Sequence, residues 1–241
     1  MSRRPDASPP SAPLGDTAHG LGERVDDVVA AVKPHLRGWL HAGSTPLVLA
    51  AGIVLIALAP TAPARISSTI FVVTAVLLFG TSAVYHRGTW SPRTQVLLKR
   101  LDHSNIFLII AGSYTPFAAL LLPYDRARTL LLIVWAGAVG GVLFRVFWVG
   151  APRWLYTPIY VALGWVAVIY LPDFYRSGGG ALLALIIVGG ALYTAGAVVY
   201  GLKRPDPSPR WFGFHEIFHA CTVAAFVVHY VAVSIAVYTY R

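Results

Sequence analysis

Residues Phe212 to Val233 read FGFHEIFHACTVAAFVVHYVAV. The stretch opens on His215-Glu216-Ile217-Phe218-His219, two histidines four apart with a glutamate between them, which is the HExxH pattern of zinc peptidases. Almost everything after it is apolar, as in a helix about to enter a membrane. On a helix the two imidazoles share one face, and Glu216 lies about 100° round from His215. Three readings are open: a peptidase motif, a zinc site of another kind, or histidines that merely pack in a core.

The rest of the chain decides the setting. Of its 241 residues 56% are hydrophobic and 12% charged, whereas a soluble domain carries about 25% charged residues. So few charges cannot cover a water-facing surface. Uncharged runs extend over Ile66–Tyr85, Asn105–Pro123, Thr129–Phe144, Trp154–Pro172 and Ser177–Leu202, and runs of roughly 17–25 apolar residues suit a transmembrane helix. Thr45–Pro60, extended backwards by Trp39 and Leu40, and Phe212–Tyr238 bring the number to seven. The expectation is an all-α integral membrane protein, a seven-transmembrane bundle over residues 39–241. Residues 1–22 read as a disordered polar tail without the apolar core of a signal peptide. Residues 23–38 carry Val25, Val28, Val29 and Val32 at helical spacing and read as an amphipathic helix on the cytoplasmic membrane face.

Charge sets the expected orientation. Fourteen of the 19 Lys and Arg residues fall in the N-terminal segment and the second, fourth and sixth loops, and five on the other side. The positive-inside rule then puts the N-terminus in the cytoplasm and the C-terminus outside, a topology suited to a bacterial inner membrane. The formal charge of +9 is therefore a topology signal; no soluble basic face is left for nucleic acid. Gly137 and Gly141 form a G-x-x-x-G that reads as a helix-packing surface.

Topology also sorts the histidines. With the N-terminus inside, span two ends at His86, span three begins at Asp102 and span seven begins at His215 and His219, all at one depth on the cytoplasmic side. Three imidazoles and a carboxylate at one level of a bilayer point to a metal, because buried polar groups are costly and face the bundle interior. Three neutral imidazoles leave a fourth tetrahedral position for water, the catalytic arrangement of zinc, which lowers the pKa of that water to about 7. Asp102 is then its hydrogen-bond acceptor or general base, with a helix N-cap as the alternative; Ser82, one turn before His86, adds a hydrogen bond at the site or back-bonds its own helix. His229 lies about 15 Å further along its helix than His219 and cannot join the site; it reads as a buried, hydrogen-bonded residue. His103 points away from Asp102 and is not taken as a ligand. His19, His35 and His41 read as interfacial polar residues.

SAVYH (Ser82–His86), RLDHSNIFLIIAGSYTPF (Arg100–Phe117) and the stretch quoted first, with RGWLHAGSTP and GALYTAGAVVYGLKRP beside them, resemble the haemolysin III branch of the progestin and adipoQ receptor family, which includes the adiponectin receptors. The resemblance covers about residues 33–235. It implies seven transmembrane helices, a cytoplasmic N-terminus and zinc near the cytoplasmic side, with zinc ligands at His86, His215 and His219, a water-contacting aspartate at Asp102 and a serine at Ser82. It also implies a membrane-embedded hydrolase of a lipid amide, ceramidase-like, whose partner is a lipid within the bilayer. Where the receptors carry a neutral amide this chain has Glu216, so the resemblance removes the base from the peptidase reading. A receptor or sensor with structural zinc, a cytolytic pore and an intramembrane peptidase are the competing functions.

Overall fold

Each apolar run becomes a helix whose ends the sequence marks. The computed structural model describes Pro34 and residues 36–239; the tail 1–22 and the valine-patterned part of 23–38 lie outside the described residues. The helices are α1 (Trp39–Ala57), α2 (Ala62–Arg87), α3 (Pro92–Leu121), α4 (Tyr124–Phe147), α5 (Arg153–Gly164), α6 (Leu171–Leu202) and α7 (Phe214–Thr239), with a 3₁₀ segment, Trp165–Tyr170, joining α5 to α6. Thr61 caps α2 and Ser91 caps α3, each side-chain oxygen accepting from a backbone N–H three residues on, and each helix has a proline in its first turn, where the lost N–H costs nothing. Among the described residues six stretches are long and apolar enough to cross a membrane: α1 to α4, the continuous stretch Arg153–Leu202, and α7.

The long stretch is not straight. Gly179 sits inside α6 at φ 72°, ψ 177°, a region open essentially to glycine alone. In an unbroken helix Tyr156 and Tyr200 would lie about 66 Å apart, yet their hydroxyls are 3.0 Å apart. Trp165 Nε1 likewise donates to Thr194 Oγ1 at 3.2 Å. The chain doubles back at Gly179. The uncharged runs Trp154–Pro172 and Ser177–Leu202 leave Asp173–Arg176 between them; those residues are helical, with Asp173 paired to Arg126 at 2.7 Å. The charged run Arg93–Arg100, read as a loop, likewise forms the first turns of α3.

The central helix is α3: 72% of its most apolar window is buried inside the bundle, against 22% for α1. Close backbone approach makes this possible. A Cβ on Gly141 would sit 2.3 Å from the Phe107 ring and one on Gly137 2.6 Å from Leu163, so both glycines are packing surfaces as expected. Outward faces carry Leu47, Leu132 and Ile169, each more than 60% exposed, an apolar surface that acyl chains cover and water does not. The chain is an integral membrane protein. Because the chain reverses between successive helices from α1 to α5, again at Gly179 within α6, and between α6 and α7, the ends of α2, α4 and α6 and the starts of α3, α5 and α7 gather at one end of the bundle. The functional side chains are there.

Candidate metal centre

His86 closes α2, and His215 and His219 occupy the first turns of α7 one helical turn apart. One ring nitrogen of each lies within 4.8 Å of the others. His86 Nε2 and His215 Nε2 are 3.3 Å apart. Two imidazole nitrogens bound at about 2.05 Å to one tetrahedral ion are separated by about 3.3 Å, so this pair stands at metal-ligand spacing, and the three imidazoles within 4.8 Å of one another are a donor set that could hold a metal. His86 is brought here by the turn before α1: Gly38 has φ 80°, and a Cβ on it would stand 2.7 Å from His86 Cβ. Only a glycine lets the two backbones meet at that point.

Asp102, three turns into α3, directs Oδ2 to within 3.7 Å of His86 Nε2. Its carboxylate accepts a hydrogen bond from the Ser82 side chain. Asp102 is not the N-cap of α3, since the helix begins ten residues earlier and Ser91 caps it. Both residues singled out beside the three histidines therefore reach the cluster, Ser82 through Asp102.

Glu216 does not. Its Oε1 accepts from Arg37 Nε at 2.9 Å and its Oε2 from the Gly213 backbone N–H at 2.9 Å. It is the third residue of α7 reaching back to the residue before the helix, half of a capping box. The carboxylate that a peptidase would aim at water is spent on a helix start and an ion pair. The HExxH spelling here arises from two histidines one helical turn apart overlaid on a capping glutamate.

One histidine was misplaced by the sequence reading. His41, taken as interfacial, is 2% exposed and stacks on His219 with ring centroids 3.9 Å apart and planes 3° from parallel. Neither of its ring nitrogens has a hydrogen-bond partner. Phe79 meets it edge-on at 4.9 Å. The signal was available: the alternation of helices that puts His86 and His215 at one end puts the first turn of α1 there too. His41 holds the plane of the His219 ring and is not itself part of the ligand cluster.

His103 does not point away from Asp102, whose Oδ2 lies 3.9 Å from its Nδ1, and it forms an adjoining polar wall. Its Nδ1–H donates to the Lys99 carbonyl at 2.8 Å, which leaves Nε2 to accept from the Tyr200 hydroxyl at 3.3 Å. Tyr156 in turn hydrogen-bonds Tyr200, and the Tyr160 hydroxyl donates to the His103 carbonyl at 3.1 Å. His229 lies deep in the bundle, its Nε2 3.2 Å from the Ile186 carbonyl, a buried hydrogen-bonded histidine as expected. Beside the cluster and the His103 wall opens a cleft of about 400 Å³. His86, His215, Tyr156, Tyr200 and His103 all line it, with the Tyr200 and His215 ring centroids 5.7 Å apart.

A family model described as haemolysin-III related matches residues 29–230. The chain belongs to the haemolysin III family. Within it, the chain is 38% identical over 150 residues to the Hemolysin-3 homolog of Bacillus subtilis (strain 168), a match covering 62% of this chain and 70% of that protein. It is 35% identical over 140 residues to Hemolysin-3 of Bacillus cereus, covering 58% of this chain and 64% of the relative. A more distant likeness, 28% over 187 residues, relates this haemolysin III protein to the adiponectin receptor protein of Drosophila melanogaster and covers 68% of this chain but 41% of the receptor. The metal-centre residues fall inside the family match.

Proposed function

We propose that this haemolysin III protein is a membrane-embedded zinc hydrolase that cleaves a lipid amide. The observation that carries the proposal is the convergence of His86, His215 and His219, from helices 129 residues apart in sequence, on one point at the mouth of a cleft. The bundle crosses the membrane seven times, the reversal at Gly179 dividing Arg153–Leu202 into two crossings. Its N-terminus lies in the cytoplasm and its C-terminus outside, as the basic residues of alternate loops require, in a bacterial inner membrane.

His86, His215 and His219 hold the ion. Bound there, zinc supplies a Lewis acid for the amide carbonyl and lowers the pKa of a water to about 7. Asp102, beside this position, is the residue that would take a proton from the attacking water and return it to the amide nitrogen as the C–N bond breaks. Ser82 fixes the carboxylate by donating to it, so that the free oxygen faces the reacting atoms. His41, stacked on His219, prevents that ring from turning. The apolar faces of the helices give the acyl chain access from the bilayer.

A receptor or sensor whose zinc only ties α2 to α7 is the second reading, favoured by the site's position at the junction of two otherwise distant helices. The two separate in one assay series. Zinc-loaded protein in detergent, tested on a broad lipid panel, shows turnover that both His86→Ala and Asp102→Asn remove if the hydrolase reading holds. Zinc that raises thermal stability without any turnover leaves the receptor reading and ends the hydrolase one.

A further inference from the structure

The cleft beside the histidine cluster carries positive charge that no ion pair among the described residues balances. Lys99 near the start of α3, Arg145 at the end of α4 and Arg153 at the start of α5 all line it. Arg145 is 1% exposed. Its Nη1 and Nη2 reach the carbonyls of Trp148 and Val149 at 3.5 and 3.3 Å, and its Nε has no partner. Its guanidinium lies 4.4 Å over the Tyr156 ring. Arg153 stacks 4.7 Å over Tyr200, and its buried Nη1 has no partner either. Lys99 stands within the field of both arginines. Among the described residues none of the three forms an ion pair. The cleft's fourth cation, Arg37, is neutralised by Glu216, and Asp102 is turned towards His86 and Ser82.

Cations removed from water without a counter-charge are expensive. Three of them lining one cleft, two with a buried N–H left without a partner among the described residues (Arg145 Nε and Arg153 Nη1), make a receptor for an anion. Guanidinium and ammonium groups together suit a phosphate, which accepts several N–H donors and carries up to two charges where a carboxylate carries one. The source of that phosphate is indicated by the rim. Phe147, Trp148 and Trp154, which flank the cleft-lining segment, are 83%, 52% and 74% exposed, and aromatic side chains so placed settle at the headgroup level of a bilayer.

We propose that this cleft binds the phosphate of a lipid headgroup, so that the lipid delivered to the histidine cluster is anionic. That the bound lipid is also cleaved rests on the hydrolase reading; that it binds does not.

The test uses the full chain in detergent with three probes: dioctanoyl phosphatidic acid, the dioctanoylglycerol of the same chain length, and inorganic phosphate. Phosphatidic acid is expected to bind at least about tenfold tighter than the neutral diacylglycerol. Arg153→Gln and Lys99→Gln, both at partly exposed positions, each weaken that binding about tenfold, the worth of a charge-assisted hydrogen bond. Both leave diacylglycerol binding and metal content as in wild type. Equal binding of the two lipids, or phosphatidic acid binding that neither substitution weakens, overturns the proposal. Inorganic phosphate that binds tightly and is not displaced by phosphatidic acid assigns the cleft to free phosphate and overturns the lipid source. Phosphatidic acid that binds as expected while no lipid is turned over upholds the headgroup site and contradicts the hydrolase reading, so the two fail separately.

Discussion

Two histidines on one helix, His219 and His229, are both buried, at 2% and 8% exposure, and their surroundings could hardly differ more. His229 has one hydrogen bond to a carbonyl and sits edge-on to Phe117 and Tyr193. His219 has His86 at 5.2 Å and His215 at 4.6 Å between ring centroids, with His41 stacked on it. A buried imidazole in a membrane bundle needs only one acceptor to be tolerated. It becomes a candidate ligand when other helices aim nitrogens at the same point. Burial is shared by both; convergence belongs to one.

The comparison can be broken in graded ways. The largest effect is expected from His86→Ala, which removes one of three ligands: bound metal falls below about a tenth of an equivalent and metal-dependent turnover with it, as elemental analysis and lipid assays would read. Asp102→Asn is expected to keep the metal and lower turnover by about 10²–10⁴, the range of a lost general base; unchanged turnover would return Asp102 to a packing role. His41→Ala leaves all three ligands and frees the His219 ring, so resistance to a chelator should fall by about tenfold, the lower end for a residue that orients a ligand. Glu216→Gln should leave metal and turnover alone and cost about 1–3 kcal/mol in thermal unfolding, because Arg37 loses its carboxylate. A peptidase would instead lose its activity there. The smallest effect belongs to His229→Phe, about 1 kcal/mol with metal content intact.

Much of this was legible in the sequence, and what was not has a common cause. Helical alternation gave the depth of His86, Asp102, His215 and His219, and depth was enough to bring them together. Direction round the helix was not legible. Arg145 was counted as a charge marking the cytoplasmic side, whereas its side chain turns inward and is 1% exposed; a positive-inside count registers which end a residue occupies, not which way it faces. His41 was misjudged for the related reason that α1 starts at Trp39, so that the residue belongs to the bundle and not to the segment before it. The reversal at Gly179 was hidden because Asp173 and Arg176 look like a loop until Arg126 pairs with the aspartate.

The central claim is that histidines from α2 and α7 form one metal site. The measurement that meets it most directly is metal content by elemental mass spectrometry on detergent-purified wild type, His219→Ala and His229→Phe. The account predicts about one zinc per chain in wild type and in His229→Phe, and none in His219→Ala. Well-folded wild type without metal, or loss of metal from His229→Phe as complete as from His219→Ala, would contradict it.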